Sequence, residues 1–326
     1  MPVAPELVER FRADLEAISG DDGGRKLGIA FSGGPDSLAL LLLAHAAYPG
    51  RVEAATVEHG LRPESADEAA HAARICRELG VHHDLLSVHV ASGNVQSQAR
   101  RARYAALGEW CDSRAIENLC TAHHADDQAE TFLMRANRGS GAAGLAGVRP
   151  LGRVPETDIF VVRPLLQWRR ATLETIVRES GFEAVLDPSN EDDRFDRVKM
   201  RKSLAASDFI DVDGLARSAS LLAKLEADID GLVLEECGRA EDEDGAPSHY
   251  RPFARSQVER PVIWAEVVRK FCATLGANLT RSEAAQMVEA LLDGRAENIA
   301  GIQARRVGAD DDIVWNFAPE NPRRTG

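Results

Sequence analysis

Short apolar runs alternate with longer segments of helical periodicity through the first half of the chain. Five of these runs have the length and composition of buried strands: Lys26–Phe31, Val52–Val57, His83–Val90, Asn118–Ala122 and Ile159–Leu166. Helical periodicity covers the intervening and following segments: Leu38–Tyr48, Ala66–Leu79, Gln96–Arg114, Asp126–Asn137 and Arg169–Ser180. This alternation predicts an α/β fold with a doubly wound, mostly parallel sheet covered by helices on both faces.

The pattern changes after residue 210. Helical periodicity then covers Val212–Cys237, Gln257–Leu275 and Thr280–Leu292, with an acidic break at residues 241–248. The last dozen residues contain Pro319 and Pro322 and predict an irregular tail. We therefore predict two domains, an α/β domain over residues 1–210 and a mainly helical domain over residues 211–326.

Composition narrows the class of protein. The chain has 326 residues, of which 44% are hydrophobic and 28% are charged, as in ordinary globular proteins. Its longest apolar run, Leu38–Ala47, is about half of the roughly 20 residues that a membrane span needs. Five scattered cysteines without a CxxC pair argue against a disulfide framework, a zinc ribbon and an iron–sulfur site. With no visible export signal, these features predict a cytoplasmic protein that does not engage a membrane.

The net charge of −13 would at first argue against nucleic acid as a partner. The acidic residues are unevenly spread, because Leu225–Gly245 holds nine acids and one base and carries −8, which leaves −5 for the rest. By contrast, Arg194–Lys202 holds five bases and one acid. Phosphate contacts depend on where the bases lie, so this segment is a candidate RNA contact. The alternative is that these bases form an ordinary solvated face.

The first predicted strand leads into the sequence SGGPDS and then into an apolar helix. Glycines let backbone N–H groups approach an anion, and the start of a helix adds partial positive charge. The turn therefore predicts a phosphate-binding loop without the Walker lysine. In it, Ser32 and Ser37 are candidate phosphate ligands, and Asp36 is a candidate Mg²⁺ ligand. The alternative is a plain strand-to-helix turn with Asp36 as its cap.

Two further polar loops follow predicted strands. Glu58–Arg62 follows the second strand and His123–Asp127 follows the fourth. Because ligands bind beyond the carboxyl ends of parallel strands, we expect the three loops to converge on one site. The acids Asp126 and Glu130 share a helix face at a spacing of four residues, and with Asp127 they favour a cation-binding site. The alternative is that the three acids only complement the helix N-terminus.

The SGGPDS turn resembles the PP-loop of the N-type ATP pyrophosphatases, which bind ATP, transfer its AMP moiety to a carbonyl-type oxygen and release pyrophosphate. Six further motifs resemble those of the tRNA(Ile)-lysidine synthetase family: Val57–Ser65, Ala99–Tyr104, His123–Thr131, Arg138–Leu145, Arg163–Leu166, and Asp187–Asn190 with Arg197 and Arg201. Ala122 stands where glycine is usual before His123, and two further departures matter more. Glu58 stands where aspartate is usual, and Val198 stands where asparagine is usual.

The resemblance implies a PP-loop fold of the adenine nucleotide alpha hydrolase type and a ligase reaction. In that reaction C2 of the wobble cytidine of tRNA(Ile) with a CAU anticodon is adenylated by ATP with Mg²⁺ and then attacked by free L-lysine. The implied ATP-binding residues are Ser32, Gly33, Gly34, Pro35, Asp36, Ser37 and His59. The implied catalytic residues are Asp36, Arg103, Asp127 and Arg201.

The implied reaction needs sites for lysine and for tRNA, and the charges of two groups of residues make them the candidates. Lysine recognition falls to Asp126, Asp127 and Glu130, and tRNA binding falls to Arg194, Arg197, Lys199 and Lys202. Residues 211–326 are expected to associate with tRNA or substrate, and the sequence is compatible with a homodimer. Two alternatives stay open at this point: another AMP-forming PP-loop enzyme, such as a tRNA thiolase or a small-molecule amidating ligase, and a nucleotide-binding regulator without catalysis.

Overall fold

The structure is a computed structural model that describes residues 3–20, 23–58, 65–88, 95–185, 196–244, 249–252, 259–308 and 313–320. The chain divides into two compact units, Met1–Ala223 and Lys224–Gly326. The boundary falls within one long helix, which begins two residues after the limit of 210 that the sequence predicts for the first domain. Each unit has its own core of buried apolar side chains.

The first unit contains a six-stranded sheet with the strand order β3-β2-β1-β4-β6-β5. Its strands are β1 (Leu27–Ala30), β2 (Val52–Glu58), β3 (His82–Ser87), β4 (Asn118–Cys120), β5 (Leu151–Arg153) and β6 (Phe160–Val162). All neighbouring pairs are parallel except β5 and β6. The mostly parallel α/β sheet predicted from the sequence is confirmed.

The helices of the first unit connect and cover these strands. They are α1 (Pro5–Ser19), α2 (Pro35–Ala47), α3 (Ser65–Leu79), α4 (Val95–Arg114), α5 (Ala125–Ala136), α6 (Ala142–Leu145), α7 (Arg170–Ser180) and α8 (Asp196–Ala205), followed by α9 (Val212–Asp244). Helix α2 is apolar on all sides, and nearly all of its residues are buried in the main core. In the part of the chain that the structure describes, no helix is long and apolar enough to cross a membrane.

Strand β1 is the point where the direction of winding reverses. From β1 the chain proceeds through β2 to β3 on one side, whereas β4 pairs with the other edge of β1. Helices that follow β1 and β4 therefore leave the sheet on opposite sides, and a crevice opens between their first turns. The loops after β1 and β4 are Phe31–Gly34 and Thr121–His124, so the sheet itself brings the predicted phosphate loop beside the acidic helix start.

The second unit combines helices with a small antiparallel sheet. Helices α10 (Pro261–Thr274) and α11 (Arg281–Leu292) pack with a four-stranded sheet of order β7-β10-β9-β8, formed by β7 (His249–Tyr250), β8 (Glu297–Ile299), β9 (Ile302–Val307) and β10 (Val314–Pro319). The sequence predicted the helices but not the sheet. The prediction of an irregular tail is wrong for Val314–Pro319, and that of an acidic break is wrong for residues 241–244, which continue α9.

Proline is tolerated at the end of β10 for a structural reason. Pro319 pairs with Ile302 of β9, whereas the short strand β7 pairs only with Trp315 and Asn316. The other side of β10 therefore has no pairing to β7 at residue 319, and a residue without an N–H group disrupts no ladder there. A sequence pattern that treats proline as a breaker misses such a strand.

The aromatic core of the second unit supplies a stability test. Trp315 is fully buried, and its ring lies edge-on to Trp264 with the ring centroids 5.5 Å apart. We expect Trp315→Ala to lower the free energy of unfolding of this unit by about 3–5 kcal/mol, measured by urea unfolding, because a large cavity is left.

Trp315→Phe is the matched control. It keeps much of the apolar volume and removes an indole N–H that is buried without a hydrogen-bond partner among the described residues. We expect it to cost clearly less than the alanine variant. Equal losses for the two variants would contradict this account of the core.

Candidate active site

A cavity of about 620 Å³ lies at the carboxyl ends of β1, β2 and β4. This volume is in the range of nucleotide-sized ligand sites. Residues from all three strand ends contribute to its wall, as do α4 and α8: Phe31, Ser32, Thr56, Glu58, Arg103, His123 and Arg197. The sequence predicted that the loops after three strands converge on one site. The structure shows this for the loops after β1 and β4 and for Glu58 at the end of β2.

The loop after β1 has the geometry of an anion cradle. Gly33 has a φ of +82°, and a Cβ atom at this residue would lie 3.1 Å from Cγ2 of Val185. Any side chain would therefore be strained there, so glycine is required. The Ser37 hydroxyl donates to the carbonyl of Gly34 at 3.0 Å and lies 3.0 Å from the Ser32 hydroxyl, which fixes both side chains at the mouth of the loop.

The start of α2 leaves backbone donors free for an anion. Gly34 is the N-cap residue and Pro35 occupies the first turn, and no side chain caps the helix. The amides of Asp36 and Ser37 precede the first intrahelical hydrogen bond, in which Leu38 donates to Gly34, so they have no partner within the helix. Asp36 therefore does not cap α2, and this alternative for its role is wrong.

The carboxylate of Asp36 faces a buried histidine. Its Oδ2 atom lies 3.5 Å from Nε2 of His124, whose side chain is 2% exposed. Burial opposes ionisation of Asp36, but the hydrogen bond and the charge of His124 outweigh it and lower the pKa of the carboxyl group. Burial likewise opposes protonation of His124, but Asp36, Asp127 and Asp126 outweigh it and raise the pKa of the imidazole.

His124 is also the N-cap of α5. Its Nδ1 accepts a hydrogen bond from the backbone N–H of Asp127, and Asp127 Oδ2 accepts one from the backbone N–H of His124 at 3.1 Å. Because Nδ1 is an acceptor, the ring proton of the neutral form lies on Nε2 and is directed to Asp36. One side chain thus ties the start of α5 to the start of α2.

The three acids that open α5 are paired with arginines. Asp126 accepts from the backbone N–H of Arg170 at 2.8 Å and lies 3.4 Å from the guanidinium of Arg169. Glu130 is 1% exposed, and its two carboxylate oxygens contact Arg197 and Arg201 at 2.7 and 2.9 Å. Its charge is therefore fully compensated from one helix, α8.

Asp127 shares one of these partners. Its Oδ1 atom accepts from Nη2 of Arg197 at 2.7 Å, while Oδ2 belongs to the cap of α5. Both Asp127 and Arg197 line the cavity, whereas Asp126 and Glu130 are not among its lining residues. The acids together do more than complement the helix N-terminus, because they attach α5 to α7 and α8.

Arg100 and Arg103 of α4 form a basic wall of the cavity. Arg100 and Arg103 lie over the ring of Tyr104, with guanidinium carbons 5.1 and 5.4 Å from the ring centroid. Neither guanidinium pairs with a carboxylate in the described part of the chain. Burial lowers the pKa of Arg103, which indicates a charge held in a poorly solvated place and available to an anion.

His123 lies between the acidic and basic groups. Its Nδ1 is 3.0 Å from the Thr121 hydroxyl, and its ring lines the cavity. Burial, the largest cause, lowers the pKa of His123 to about 4, with nearby arginines acting in the same direction and Asp127 opposing them. The imidazole is therefore neutral near neutral pH.

The structure brings most of the predicted site residues together. His59 and Arg194 lie outside the described residues, as does Asp187–Asn190. Lys199 and Lys202 are exposed on α8, as an RNA-binding role requires. Arg197, however, contacts the acids of α5 rather than standing free on the surface. Sequence reasoning missed Thr56, Thr121 and Val185, and only the two threonines carried a signal, because each lies near the end of a predicted strand.

Comparisons with known proteins agree with this geometry. The PP-loop domain family matches residues 7–207. The tRNA(Ile)-lysidine synthase of Zymomonas mobilis is 38% identical over 328 residues, covering 98% of this chain and 96% of that protein. The enzyme of that name from Novosphingobium aromaticivorans is 47% identical over 226 residues, covering 69% of this chain and 68% of that protein.

A solved structure shows the same fold. The U34-tRNA thiolase NcsA of Methanococcus maripaludis has a TM-score of 0.54 with this chain at 17% identity, covering 67% of this chain and 78% of that one. At this identity the likeness concerns the fold alone. The sequence relatives go further, and the chain belongs to the PP-loop domain family and to its tRNA(Ile)-lysidine synthases.

The depressed pKa of His123 predicts a pH dependence of stability. The unfolded chain protonates this residue near the ordinary histidine pKa of about 6.5, whereas in the folded protein its pKa is about 4. Stability is therefore lost as the pH falls from about 6.5 towards 4, by at most about 1.4 kcal/mol per pH unit.

Comparison with His123→Gln isolates the contribution of His123 to this loss of stability. We expect the wild type to lose stability relative to the variant in urea unfolding across this pH window. Above about pH 7 the difference between the two proteins should be constant. If the free energies of unfolding of the two proteins change in parallel down to about pH 4, the pKa of His123 is not lowered in the folded protein.

Proposed function

We propose that this protein joins lysine to C2 of the wobble cytidine of tRNA(Ile) with a CAU anticodon, forming lysidine. The observation that carries the proposal is the cavity at the β1–β4 reversal, where a phosphate cradle meets an acidic wall and a basic wall. Membership of the tRNA(Ile)-lysidine synthases agrees with that geometry.

ATP is the first substrate, as the PP-loop family implies. The amides at the start of α2 and the hydroxyls of Ser32 and Ser37 are placed to receive its phosphates. Asp36 fits a Mg²⁺ ion at this place, because its Oδ1 atom is buried without a hydrogen-bond partner in the described residues. Mg²⁺ bound there supplies charge neutralisation for the leaving pyrophosphate.

The reaction has two steps. In the first, O2 of the cytidine attacks the α-phosphorus of ATP, the C2–O–P linkage forms, and pyrophosphate leaves. In the second, the ε-amine of lysine attacks C2, the C2–O bond breaks, and AMP leaves as the amine loses a proton. Negative charge moves onto pyrophosphate in the first step and onto AMP in the second.

The basic wall is suited to these anions. Arg103 is held against Tyr104 on the cavity wall, so its guanidinium is oriented before any ligand arrives. Arg201 is held by Glu130 at 2.9 Å and acts from the acidic side. We propose that Arg103 is the main residue that stabilises the developing negative charge of the phosphoryl groups, because it has no carboxylate partner among the described residues.

Lysine is assigned to the acidic wall. Of the three candidate acids, Asp127 lines the cavity, and Glu130 lies one helical turn away on the same helix. Asp126 is the least available, because it holds the start of α7 through the backbone of Arg170. We therefore place the ammonium groups of lysine at Asp127 and Glu130, with Asp126 as a supporting group.

The tRNA is assigned to the exposed side of α8 and to the second unit. Lys199 and Lys202 are exposed on α8, whose Arg197 lines the cavity, so the RNA backbone would approach at the cavity's edge. Assembly as a homodimer and a cytoplasmic location remain predictions from the sequence.

The reaction is tested with purified protein, an unmodified CAU transcript, ATP–Mg²⁺ and radiolabelled lysine. We expect lysine to enter the tRNA and AMP to be released in equal amounts. Asp36→Asn should lower AMP release by about 100-fold or more with the fold intact by circular dichroism, because one preorganised charge beside the phosphates is lost.

Asp158→Asn is the matched control, since it makes the same chemical change at a side chain that is 98% exposed. It should retain full activity. Near-normal turnover in Asp36→Asn would remove Asp36 from the cradle. Absence of lysine incorporation by the wild type, with AMP still released, would favour another PP-loop reaction.

The RNA contact of α8 is tested by its salt dependence. Each phosphate contact that releases counterions lowers log affinity by about 0.7–0.9 per unit of log salt. We expect the Lys199→Gln/Lys202→Gln double variant to bind the transcript more weakly at low salt and with a flatter slope, measured by filter binding, while ATP binding is unchanged.

A control with the same charge change uses exposed bases on other helices. Arg77→Gln/Arg178→Gln alters α3 and α7 and should leave the slope unchanged. A slope unaltered by the Lys199 and Lys202 substitutions would mean that this side of α8 is a solvated face.

A further inference from the structure

Arg197 occupies the carboxylate oxygens that the proposed function gives to lysine. Its Nε atom donates to Glu130 Oε2 at 2.7 Å, and its Nη2 atom donates to Asp127 Oδ1 at 2.7 Å. These two nitrogens lie on one edge of the guanidinium, so the two oxygens are held side by side. An ammonium group with its three donors can bind the same pair of oxygens.

The arginine can leave without exposing an uncompensated buried charge. Glu130 is 1% exposed, but its other oxygen keeps the hydrogen bond from Arg201 at 2.9 Å. Asp127 keeps its place in the cap of α5 through the backbone N–H of His124. A buried carboxylate that loses its last partner is strongly destabilised, and neither acid is in that position here.

The guanidinium of Arg197 also has an alternative place to go. Its side chain is 46% exposed, in contrast to the buried acid that it contacts. It lies on the same helix as the exposed bases Lys199 and Lys202, where RNA phosphates are proposed to bind. Phosphate and carboxylate are both bound by the same guanidinium fork, so an arriving phosphate competes directly for it.

We propose that Arg197 acts as an internal competitor of lysine at Asp127 and Glu130, and that tRNA phosphate draws it away. The proposal rests on the lysine site of the proposed function. It adds that tRNA binds before lysine. In the free protein the guanidinium fills the ammonium site. Once tRNA is bound, Arg197 turns to the RNA backbone, and the two carboxylates accept the amine at the time when an adenylated cytidine can form.

The physical consequence is an apparent lysine affinity that depends on tRNA. When a binding site is competent for only a fraction of the time, the apparent dissociation constant rises by the inverse of that fraction. Two charge-assisted bonds at 2.7 Å make the competent fraction small in the free protein. Arg197 thereby limits binding of lysine before tRNA.

The test is equilibrium dialysis of radiolabelled lysine against the full-length protein without ATP, so that no turnover occurs. We expect the wild type to bind lysine at least about tenfold more tightly with the CAU transcript than without it. Arg197→Gln should bind lysine in the absence of tRNA about as tightly as the wild type does in its presence. Adding tRNA to this variant should then change little.

Two variants guard against a purely structural effect. Arg77→Gln removes one exposed charge from another helix, α3, and should leave lysine affinity without tRNA unchanged. Arg197→Lys keeps the charge without the fork, so it should bind lysine with an affinity between those of the wild type and Arg197→Gln. If Arg197→Gln does not fold, two other measurements test the proposal. These are the lysine affinities of the wild type with and without tRNA, and the lysine affinity of Arg197→Lys.

The outcomes separate the two proposals. Equal lysine affinity of the wild type with and without tRNA, or no gain in the Arg197 variants, overturns the competitor role while leaving the ligase intact. No measurable lysine binding by any of the proteins under either condition overturns the proposed function, and the competitor role with it.

Discussion

Four carboxylates at one edge of a parallel sheet must be neutralised before this site can exist. Asp36 belongs to the first turn of α2, and the other acids, Asp126, Asp127 and Glu130, open α5. Like charges this close oppose one another, so the arrangement requires cations from elsewhere. They come from the N-cap of α7 as Arg169 and from α8 as Arg197 and Arg201, while the Nε2–H of His124 is directed to Asp36. Charge balance therefore fixes where three helices stand around the cavity.

This requirement explains why the cavity has walls of opposite sign. The acids are compensated by arginines, whereas Arg100 and Arg103 lie against the ring of Tyr104 and pair with no carboxylate among the described residues. Burial lowers the pKa of Arg103, and a guanidinium in a poorly solvated place is costly unless an anion arrives. These charges support the proposal that phosphate groups bind at the basic wall and an ammonium group at the acidic wall. A ligase that first makes AMP a leaving group and then admits an amine needs both.

The sequence predicted the sheet and the location of the site for identifiable reasons. Apolar runs of strand length alternate with helices, and polar loops follow the strands, so the ligand edge could be inferred without coordinates. It did not predict that Arg197 would face the acids, because a cluster of bases looks the same whether it is solvated or paired. The antiparallel sheet of the second unit was missed because strands such as Glu297–Ile299 are too short to show a period, and Pro319 suggested a break.

The two main departures from the family pattern lie in different surroundings. Arg197 and Arg201 are four residues apart, so they share the face of α8 that meets α5, whereas Val198 lies about 100° around the helix. Its side chain is buried, so an apolar residue at this position contributes packing that asparagine would supply less well. Glu58 ends β2 and lines the cavity, where one extra methylene moves its carboxylate further into the space left for ligand. The departure at Val198 therefore concerns the stability of α8, and only the departure at Glu58 changes the shape of the site.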